Sequence, residues 1–243
     1  MNTQVQPLFY KKVVPLNKEK HSKLFIEPIE GYGFAKSTNS LYIAAVEFGK
    51  VSREYPIVFG HDAAGELFPV VLLGLKNNEN LFVDDEGKWD AQYIPAYARR
   101  YPFILANQDA GEEQQFAVCI DESYPGFNTA KEGQALFDDK GEQAPVLKQA
   151  VDFLQDYQQH VLLTGQFCKN INELDILEPM QANIEMKSGD KMSLGGFQCV
   201  NREKLAALKP GKLADLVKTG QMELIYAHLF SLANVANLMG KLN

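Results

Sequence analysis

Residues 55–60 read YPIVFG and residues 67–75 read LFPVVLLGL, and these two runs set the pattern of the first half of the chain. Both are short and mainly apolar, and each contains the β-branched residues that β-strands favour. Residues 41–48, LYIAAVEF, form a third such run, which ends at Gly49. Because brief polar segments join these runs, the pattern predicts an antiparallel meander.

Further strands are predicted at residues 81–83, 103–106 and 116–121. A short helix is expected over about residues 95–100, because proline is favoured in the first turn of a helix and Pro102 ends it. Together these segments predict one mainly antiparallel sheet between Leu41 and Asp121, preceded by an arm lying over the core.

The hydrophobic spacing changes to a helical period after residue 142. Apolar side chains recur three or four residues apart at Leu147, Val151, Leu154, Tyr157 and Val161, with a break expected near Gly165. We therefore expect a single α+β domain over residues 1–243, strand-rich at about 41–143 and helix-rich at about 144–243. The helices are expected to pack on one face of the sheet.

The last helix is expected from about Gln221 to Met239, with one apolar stripe that must be buried. Its members are Met222, Ile225, Leu229, Leu232 and Ala236. Burial inside the domain is the first interpretation. A homodimer through this helix is the alternative, because the small side chains at its end would let two helices approach.

Bulk properties exclude several classes of protein. The net charge of −7 argues against nucleic acid as the main partner, since binding to phosphates needs clustered Lys and Arg. No run of about 18 apolar residues predicts a membrane span, and the N-terminus does not resemble a signal peptide. Three widely spaced cysteines do not form a disulfide framework. A cytoplasmic protein is the resulting expectation.

Motifs for cofactors and metals were not found either. The four histidines lack metal-ligand spacing, and neither a phosphate-binding loop nor a dinucleotide fingerprint occurs. Residues 81–87 and 136–141 each place acidic residues before a glycine, but they lack the ligand spacing of a calcium loop. Turns with glycine at positive φ explain them better. No cofactor and no metal are therefore predicted.

Four segments carry a resemblance to a known family. They are WDAQYIPAYARRYPF at 89–103, VCIDE at 118–122, ALFD at 135–138 and LIYAHLFSL at 224–232. With these segments the chain resembles the SapC family of bacterial proteins along nearly its whole length. The family name is tied to a surface-layer protein and to serum resistance, and the resemblance carries over no catalytic residues.

Candidate site residues lie in and around the first of these segments. Arg99 and Arg100 stand among tyrosines, including Tyr93, and a guanidinium fork suits carboxylates and phosphates. One interpretation is a site for an anion or a peptide carboxylate. The favoured one is structural, with an arginine paired to a carboxylate such as Asp121. Trp89 is expected to be at least half buried beside Tyr93 or Pro95, with ligand stacking as the alternative.

His61 and Asp62 follow a predicted strand end, where a histidine can serve as a general base. Adjacency in sequence is not the oriented His–Asp contact of a catalytic triad, so catalysis at His61 is the weaker interpretation.

The function predicted from the sequence is a non-enzymatic binding or accessory protein for a small molecule, a peptide or a protein partner. Its ligand-binding residues would be His61, Trp89, Tyr93, Arg99, Arg100 and Asp121. The alternative is an enzyme of unfamiliar type, with His61, Arg99, Arg100 and Asp121 in one cleft. A second alternative is a surface-layer-associated protein.

Overall fold

The computed structural model of the chain describes residues 7–28, 30–108, 115–185 and 191–242. Contacts divide the chain into two compact units. Unit 1 comprises Met1–Tyr32 and Ala98–Gln159, and unit 2 comprises Gly33–Tyr97 and His160–Asn243. The sheets of both units are antiparallel and most of the helices follow residue 144, so the predicted α+β class is confirmed.

The regular elements of the described residues are short, apart from one long helix and one hairpin. The strands are β1 (Val13–Pro15), β2 (Phe25–Ile26), β3 (Ser40–Tyr42), β4 (Ile57–His61), β5 (Leu67–Leu72), β6 (Phe103–Gln108), β7 (Gln115–Asp121), β8 (Phe127–Asn128), β9 (Gln134–Ala135), β10 (Leu177–Glu185) and β11 (Lys191–Val200). The helices are α1 (Lys18–His21), α2 (Phe48–Val51), α3 (Ala96–Arg99), α4 (Pro145–Glu173), α5 (Arg202–Ala206), α6 (Pro210–Lys218), α7 (Gln221–Ser231) and α8 (Asn234–Lys241).

Unit 1 contains two three-stranded sheets, ordered β1-β7-β6 and β8-β2-β9. Aromatic rings make up much of its core: Tyr101 packs edge-on against both Tyr10 and Tyr124, at ring-centroid distances of 5.3 and 5.6 Å. The Tyr10 hydroxyl donates to the carbonyl oxygen of Phe103 at 2.7 Å. This bond ties the N-terminal segment to β6, so the predicted arm is in part a strand of the core sheet.

Unit 2 is built on one five-stranded sheet, ordered β10-β11-β4-β5-β3. Strands β4 and β5 are almost completely buried, which explains why their sequences are continuously apolar rather than alternating. Helix α7 packs on β4 and β11, where its Ser231 hydroxyl accepts the Ile57 N–H at 2.8 Å. Phe167 of α4 lies 6.0 Å from Phe48 and 6.4 Å from Phe59 between ring centroids.

Four predicted details of the strands are wrong. Residues 81–83 form no strand, since Val83 makes only an isolated bridge with Trp89. The strands between Leu41 and Asp121 do not form one sheet, because β6 and β7 pair with β1 in unit 1. The run 41–48 is a strand only to Tyr42, since the Glu47 carboxylate accepts the Ala44 N–H at 2.9 Å and turns the chain into a 3₁₀ helix and then α2. Strands β10 and β11, in the half predicted to be helical, were missed.

The helical half also differs from the prediction. Helix α4 continues through Gly165 without a break. The expected last helix is two helices, α7 and α8. Ile225 and Leu229 are buried as predicted, but Ala236 is exposed. The buried face of α7 is rotated because His228 and Ser231 bond to unit 2 strands and face inward.

The homodimer stays a prediction. Tyr226 and Phe230 on the outer face of α7 are exposed, with their ring centroids 5.8 Å apart.

None of the helices in the described residues has the length and apolar character needed to cross a membrane.

Candidate functional site

A concave pocket of about 340 Å³ in unit 1 is the candidate site, and we call it the Arg pocket. Four segments that are distant in sequence line it: β2 with the two residues after it, residues 99–103, Gln134 of β9, and the first turns of α4. Its volume lies at the lower end of the range for small-molecule sites, about 300–1,000 Å³. The lining mixes apolar side chains with two guanidinium groups, two glutamines and the carboxylate of Glu27.

Helix α4 presents one face to the Arg pocket and a different face to the core. The pocket face consists of Val146, Gln149, Ala150 and Phe153, which are three or four residues apart and therefore neighbours on the helix surface. Leu147 and Leu154, which set the predicted apolar stripe, are buried. The helix thus supports the core and lines the pocket with two distinct sets of residues.

Aromatic rings support both arginines of the pocket. The Cζ atom of Arg99 lies 5.2 Å from the centroid of the Phe153 ring. The Cζ atom of Arg100 lies 5.8 Å from the Tyr10 ring centroid and 5.4 Å from that of Tyr157. A guanidinium at such a distance is attracted by the electrons of the ring, which reduces the cost of removing the charge from water. The rings therefore help to fix two positive charges at this pocket.

Asp121, a predicted site residue, serves the structure of unit 1. It is completely buried, and its carboxylate accepts the backbone N–H groups of Lys11, Lys12 and Ser123 at 2.8, 3.0 and 3.0 Å. The Ser123 hydroxyl donates to it at 2.6 Å, and the Tyr101 hydroxyl lies 3.5 Å away. These groups hold the N-terminal segment to the end of β7.

The expected pairing of an arginine with Asp121 is not found. Among the described residues, the partners of the Asp121 carboxylate include neither Arg99 nor Arg100, and Asp121 does not line the Arg pocket. Desolvation raises the pKa of Asp121, but hydrogen bonds from Ser123 and the backbone outweigh it and hold the pKa below its usual range. Asp121 is therefore a buried carboxylate ion that stabilises the fold.

Burial and the nearby Asp121 carboxylate raise the pKa of Tyr101, which lines the pocket, to about 12. Tyr32, also in unit 1, has its pKa raised by burial, while the positive charge of Arg99 acts in the opposite direction. Both phenols are therefore neutral near pH 7, and the Arg pocket gains no negative charge from them.

Trp89 and Tyr93, two further predicted site residues, belong to unit 2 and meet at the hydroxyl of Tyr55. The Trp89 indole donates its Nε1–H to that hydroxyl at 2.8 Å, and the hydroxyl donates to the Tyr93 carbonyl oxygen at 2.6 Å. Trp89 is 6% exposed, so the prediction that it is at least half buried is confirmed. Burial raises the pKa of Tyr55.

Two carboxylates hold the segment that follows Trp89. Glu47, which is buried, accepts the Tyr93 hydroxyl at 3.0 Å and the Ala96 N–H at 2.8 Å through its Oε1. Glu54 accepts the N–H groups of Gln92 and Tyr93 at 2.8 and 3.1 Å. Between Trp89 and Ala96, the polar groups named here are thus bonded within the protein.

His61 stands exposed at the end of β4 in unit 2. Its neighbour Asp62 accepts the N–H groups two and four residues later, both at 2.9 Å, and so builds a turn rather than orienting a catalytic histidine. Of the four residues proposed for a catalytic cleft, Arg99 and Arg100 line the Arg pocket, whereas His61 does not.

The two glycine-containing acidic motifs are turns of the same kind, as predicted. Asp84 and Asp138 each accept the N–H groups two and four residues later, at 2.8–3.0 Å. Gly87 and Gly141 follow with φ values of 84° and 75°, a region that only glycine enters without strain. In the described part of the chain, no three His, Cys, Asp or Glu side chains are arranged to hold a metal ion.

Unit 2 has a cavity of its own, of about 330 Å³, between α4, α7 and the turn before α2. Its lining is mainly apolar. The polar residues in it are His160, Gln166, Thr219 and Gln221. Its described lining contains no Lys, Arg, Asp or Glu, which distinguishes it from the Arg pocket.

Several residues that line the Arg pocket or contact its arginines cannot be recognised from the sequence. Tyr10 and Tyr157, which flank Arg100, are 147 positions apart, and no local pattern connects them. The pocket face of α4 was detectable, because its four residues repeat at helical spacing beside the apolar stripe. Glu27 and Gln134 carried no signal, since each is a single polar residue in or beside a strand of only two residues.

Comparisons with known proteins gave one match. The model of the SapC family matches residues 16–238. No curated protein and no solved structure matches the chain.

Proposed function

The chain belongs to the SapC family, and we propose that it is a non-enzymatic binding protein that holds a carboxylate-bearing, partly apolar small molecule in the Arg pocket. The observation that carries this proposal is the presence of Arg99 and Arg100 in the lining of one concave, largely apolar pocket. An apolar pocket with a few well-placed polar groups is the usual form of a small-molecule site.

Charge supports the class of ligand. The protein as a whole carries a net charge of −7, whereas the lining of this pocket, with two arginines and one glutamate, is net positive. Arginine forms paired, charge-assisted hydrogen bonds with carboxylates, and each hydrogen bond to a charged group contributes about 1.5–3 kcal/mol. Phe103, Phe153 and Ile26 supply apolar surface for the rest of the ligand.

Binding fits the described lining better than catalysis does. The residues that line the Arg pocket include no histidine, cysteine or serine, the side chains that most often act as bases or nucleophiles. Cys119, in the same unit, is buried and its pKa is raised by desolvation, so its thiol is a poor nucleophile. A cytoplasmic location remains part of this proposal.

The test uses 3-phenylpropanoate and its uncharged amide, 3-phenylpropanamide, titrated into the full chain and followed by ligand-observed NMR. We expect the carboxylate to bind at least about tenfold more tightly than the amide, since the difference is one charge-assisted contact. Arg99→Gln should remove that preference. Equal affinity for the two compounds, or binding of neither, would overturn the proposal.

Arg53→Gln is the matched control. Arg53 is exposed, belongs to unit 2 and does not line the Arg pocket, so this variant removes the same charge elsewhere. Its preference for the carboxylate should equal that of the unchanged protein. A loss of preference in Arg53→Gln as large as in Arg99→Gln would mean that net charge, rather than the pocket, attracts the anion.

A further inference from the structure

Glu27 lines the same pocket as the two arginines. It follows β2 directly, and its backbone is fixed on both sides: its N–H donates to the Gly126 carbonyl at 2.9 Å, and its carbonyl accepts the Tyr124 hydroxyl at 3.0 Å. The position of Glu27 at the pocket is therefore set by two hydrogen bonds across unit 1, although its side chain is exposed.

The Glu27 side chain makes no ion pair and no side-chain hydrogen bond within the described residues. Two basic side chains of the same unit pair with Glu122, which follows β7: Lys12 lies 2.7 Å from it, and Lys20 also contacts it. These contacts lower the pKa of Glu122 to about 2. Unit 1 thus neutralises Glu122 with its own lysines and leaves Glu27 at the pocket.

A pocket with both signs of charge suits a ligand that carries both. A carboxylate ligand alone would place its negative charge near Glu27 as well as near the arginines, and like charges at close range destabilise binding. An α-ammonium group beside the ligand carboxylate removes this penalty and gives Glu27 a partner. Gln134 and Gln149, also in the lining, can accept and donate further hydrogen bonds.

We infer that the ligand is a zwitterion of the α-amino-acid type with an apolar side chain, whose carboxylate is held by Arg99 and Arg100 and whose ammonium group is held by Glu27. This inference rests on the proposed function, because it concerns the same pocket. The apolar end would contact Phe153 and Val146 on the pocket face of α4.

The test compares three compounds. L-phenylalanine carries both charged groups, 3-phenylpropanoate lacks the ammonium group, and 2-phenylethylamine lacks the carboxylate. We expect L-phenylalanine to bind about five- to tenfold more tightly than 3-phenylpropanoate, since one charge-assisted hydrogen bond is added. 2-Phenylethylamine, which lacks the carboxylate, should bind most weakly. The measurement again uses the full chain and ligand-observed NMR.

In Glu27→Gln, the affinities for L-phenylalanine and 3-phenylpropanoate should differ by no more than about twofold. The variant should bind L-phenylalanine more weakly than the unchanged protein does, and it should bind 3-phenylpropanoate equally well or more tightly. Glu30→Gln is the matched control, because Glu30 is an exposed carboxylate three residues away that does not line the pocket. Glu30→Gln should keep the preference for L-phenylalanine.

The outcomes separate this inference from the proposed function. If 3-phenylpropanoate binds in preference to its amide but L-phenylalanine binds no better than 3-phenylpropanoate, the zwitterion is wrong and the carboxylate site stands. If 2-phenylethylamine binds as tightly as L-phenylalanine, the arginines do not hold the carboxylate, and both proposals are overturned. An unchanged preference in Glu27→Gln also overturns the zwitterion.

Discussion

Residues 89–97 and residues 99–103 belong to one aromatic, tyrosine-rich stretch, yet they lie in different units of the molecule. In the first part, the Trp89 indole and the Tyr93 hydroxyl are bonded to Tyr55 and Glu47 inside unit 2. In the second part, the guanidinium groups line a pocket of unit 1. The comparison teaches that composition marks the stretch as unusual, whereas only the folded structure shows which of its side chains are buried and which line a pocket.

The largest effect is expected for Trp89→Ala. Removal of a buried tryptophan costs about 3–5 kcal/mol, and here it also leaves the Tyr55 hydroxyl without its donor. Urea unfolding followed by circular dichroism should show this loss, because the substitution removes the one tryptophan of the chain and with it the fluorescence signal.

Trp89→Phe is the control, since it keeps an aromatic ring and loses only the indole N–H and some volume. It should be destabilised clearly less than Trp89→Ala. If Trp89→Ala unfolds at the urea concentration of the unchanged protein and instead loses ligand, then residues 89–97 belong to a binding site and the comparison fails.

The second effect concerns pH and His228 of unit 2. This ring is completely buried: its Nδ1 bonds to the Ile57 carbonyl at 2.8 Å, and its Nε2 accepts the Val200 N–H at 3.0 Å. That pattern requires the neutral form with a proton on Nδ1. Burial lowers the pKa of His228 from 6.5 to about 4.

Stability should therefore fall as the pH is lowered from about 6.5 to about 4, because the unfolded chain binds a proton there and the folded one does not. Each pKa unit corresponds to about 1.4 kcal/mol, so the loss from this group is about 3 kcal/mol. Below pH 4 its contribution levels off. Urea midpoints at several pH values measure the slope, which His228→Gln should reduce. An NMR titration of the ring near pH 6.5 in the folded protein would contradict this.

The smallest effect is expected for the stability of Arg99→Gln. Arg99 is exposed, and a cation–π contact at an exposed site contributes about 0.5–1 kcal/mol. The free energy of unfolding should therefore change by less than about 1 kcal/mol while the preference for the carboxylate over the amide is lost. A destabilisation comparable to that of Trp89→Ala would place Arg99 among the structural residues and remove the contrast between the two parts of the stretch.

Much of the fold was predictable where local rules act alone. Strands β4 and β5 follow from buried apolar runs, and α3 from the prolines at either end of its segment. The strand at 41–48 was overestimated because the Glu47 carboxylate bends the chain at Ala44, a contact that periodicity does not register. Strands β10 and β11 were missed because their sequences, rich in Gln, Asn, Gly and Met, lack strand periodicity.

The candidate site was predictable only in part, and for a physical reason. Arg99 and Arg100 were found because a pair of guanidinium groups among tyrosines is unusual in composition. Glu27 and Phe153 were not predicted, because only the folded chain brings them to the pocket of Arg99 and Arg100. The segments that carry these residues are about 50 to 125 positions apart in the sequence. Asp121 was chosen for its charge, and its burial under three backbone N–H groups gave it a structural role instead.

The turns centred on Asp62, Asp84 and Asp138 have a consequence for the speed of folding. Each aspartate accepts N–H groups only two and four residues away, so each turn closes without any contact from a distant part of the chain. Hairpins of this length form in about 1–10 μs, long before strands far apart in sequence can pair. The turn after β4 thus allows β4 and β5 to pair early. Strand β11 lies some 130 residues after β4 in the sequence, so it joins a hairpin that has already formed.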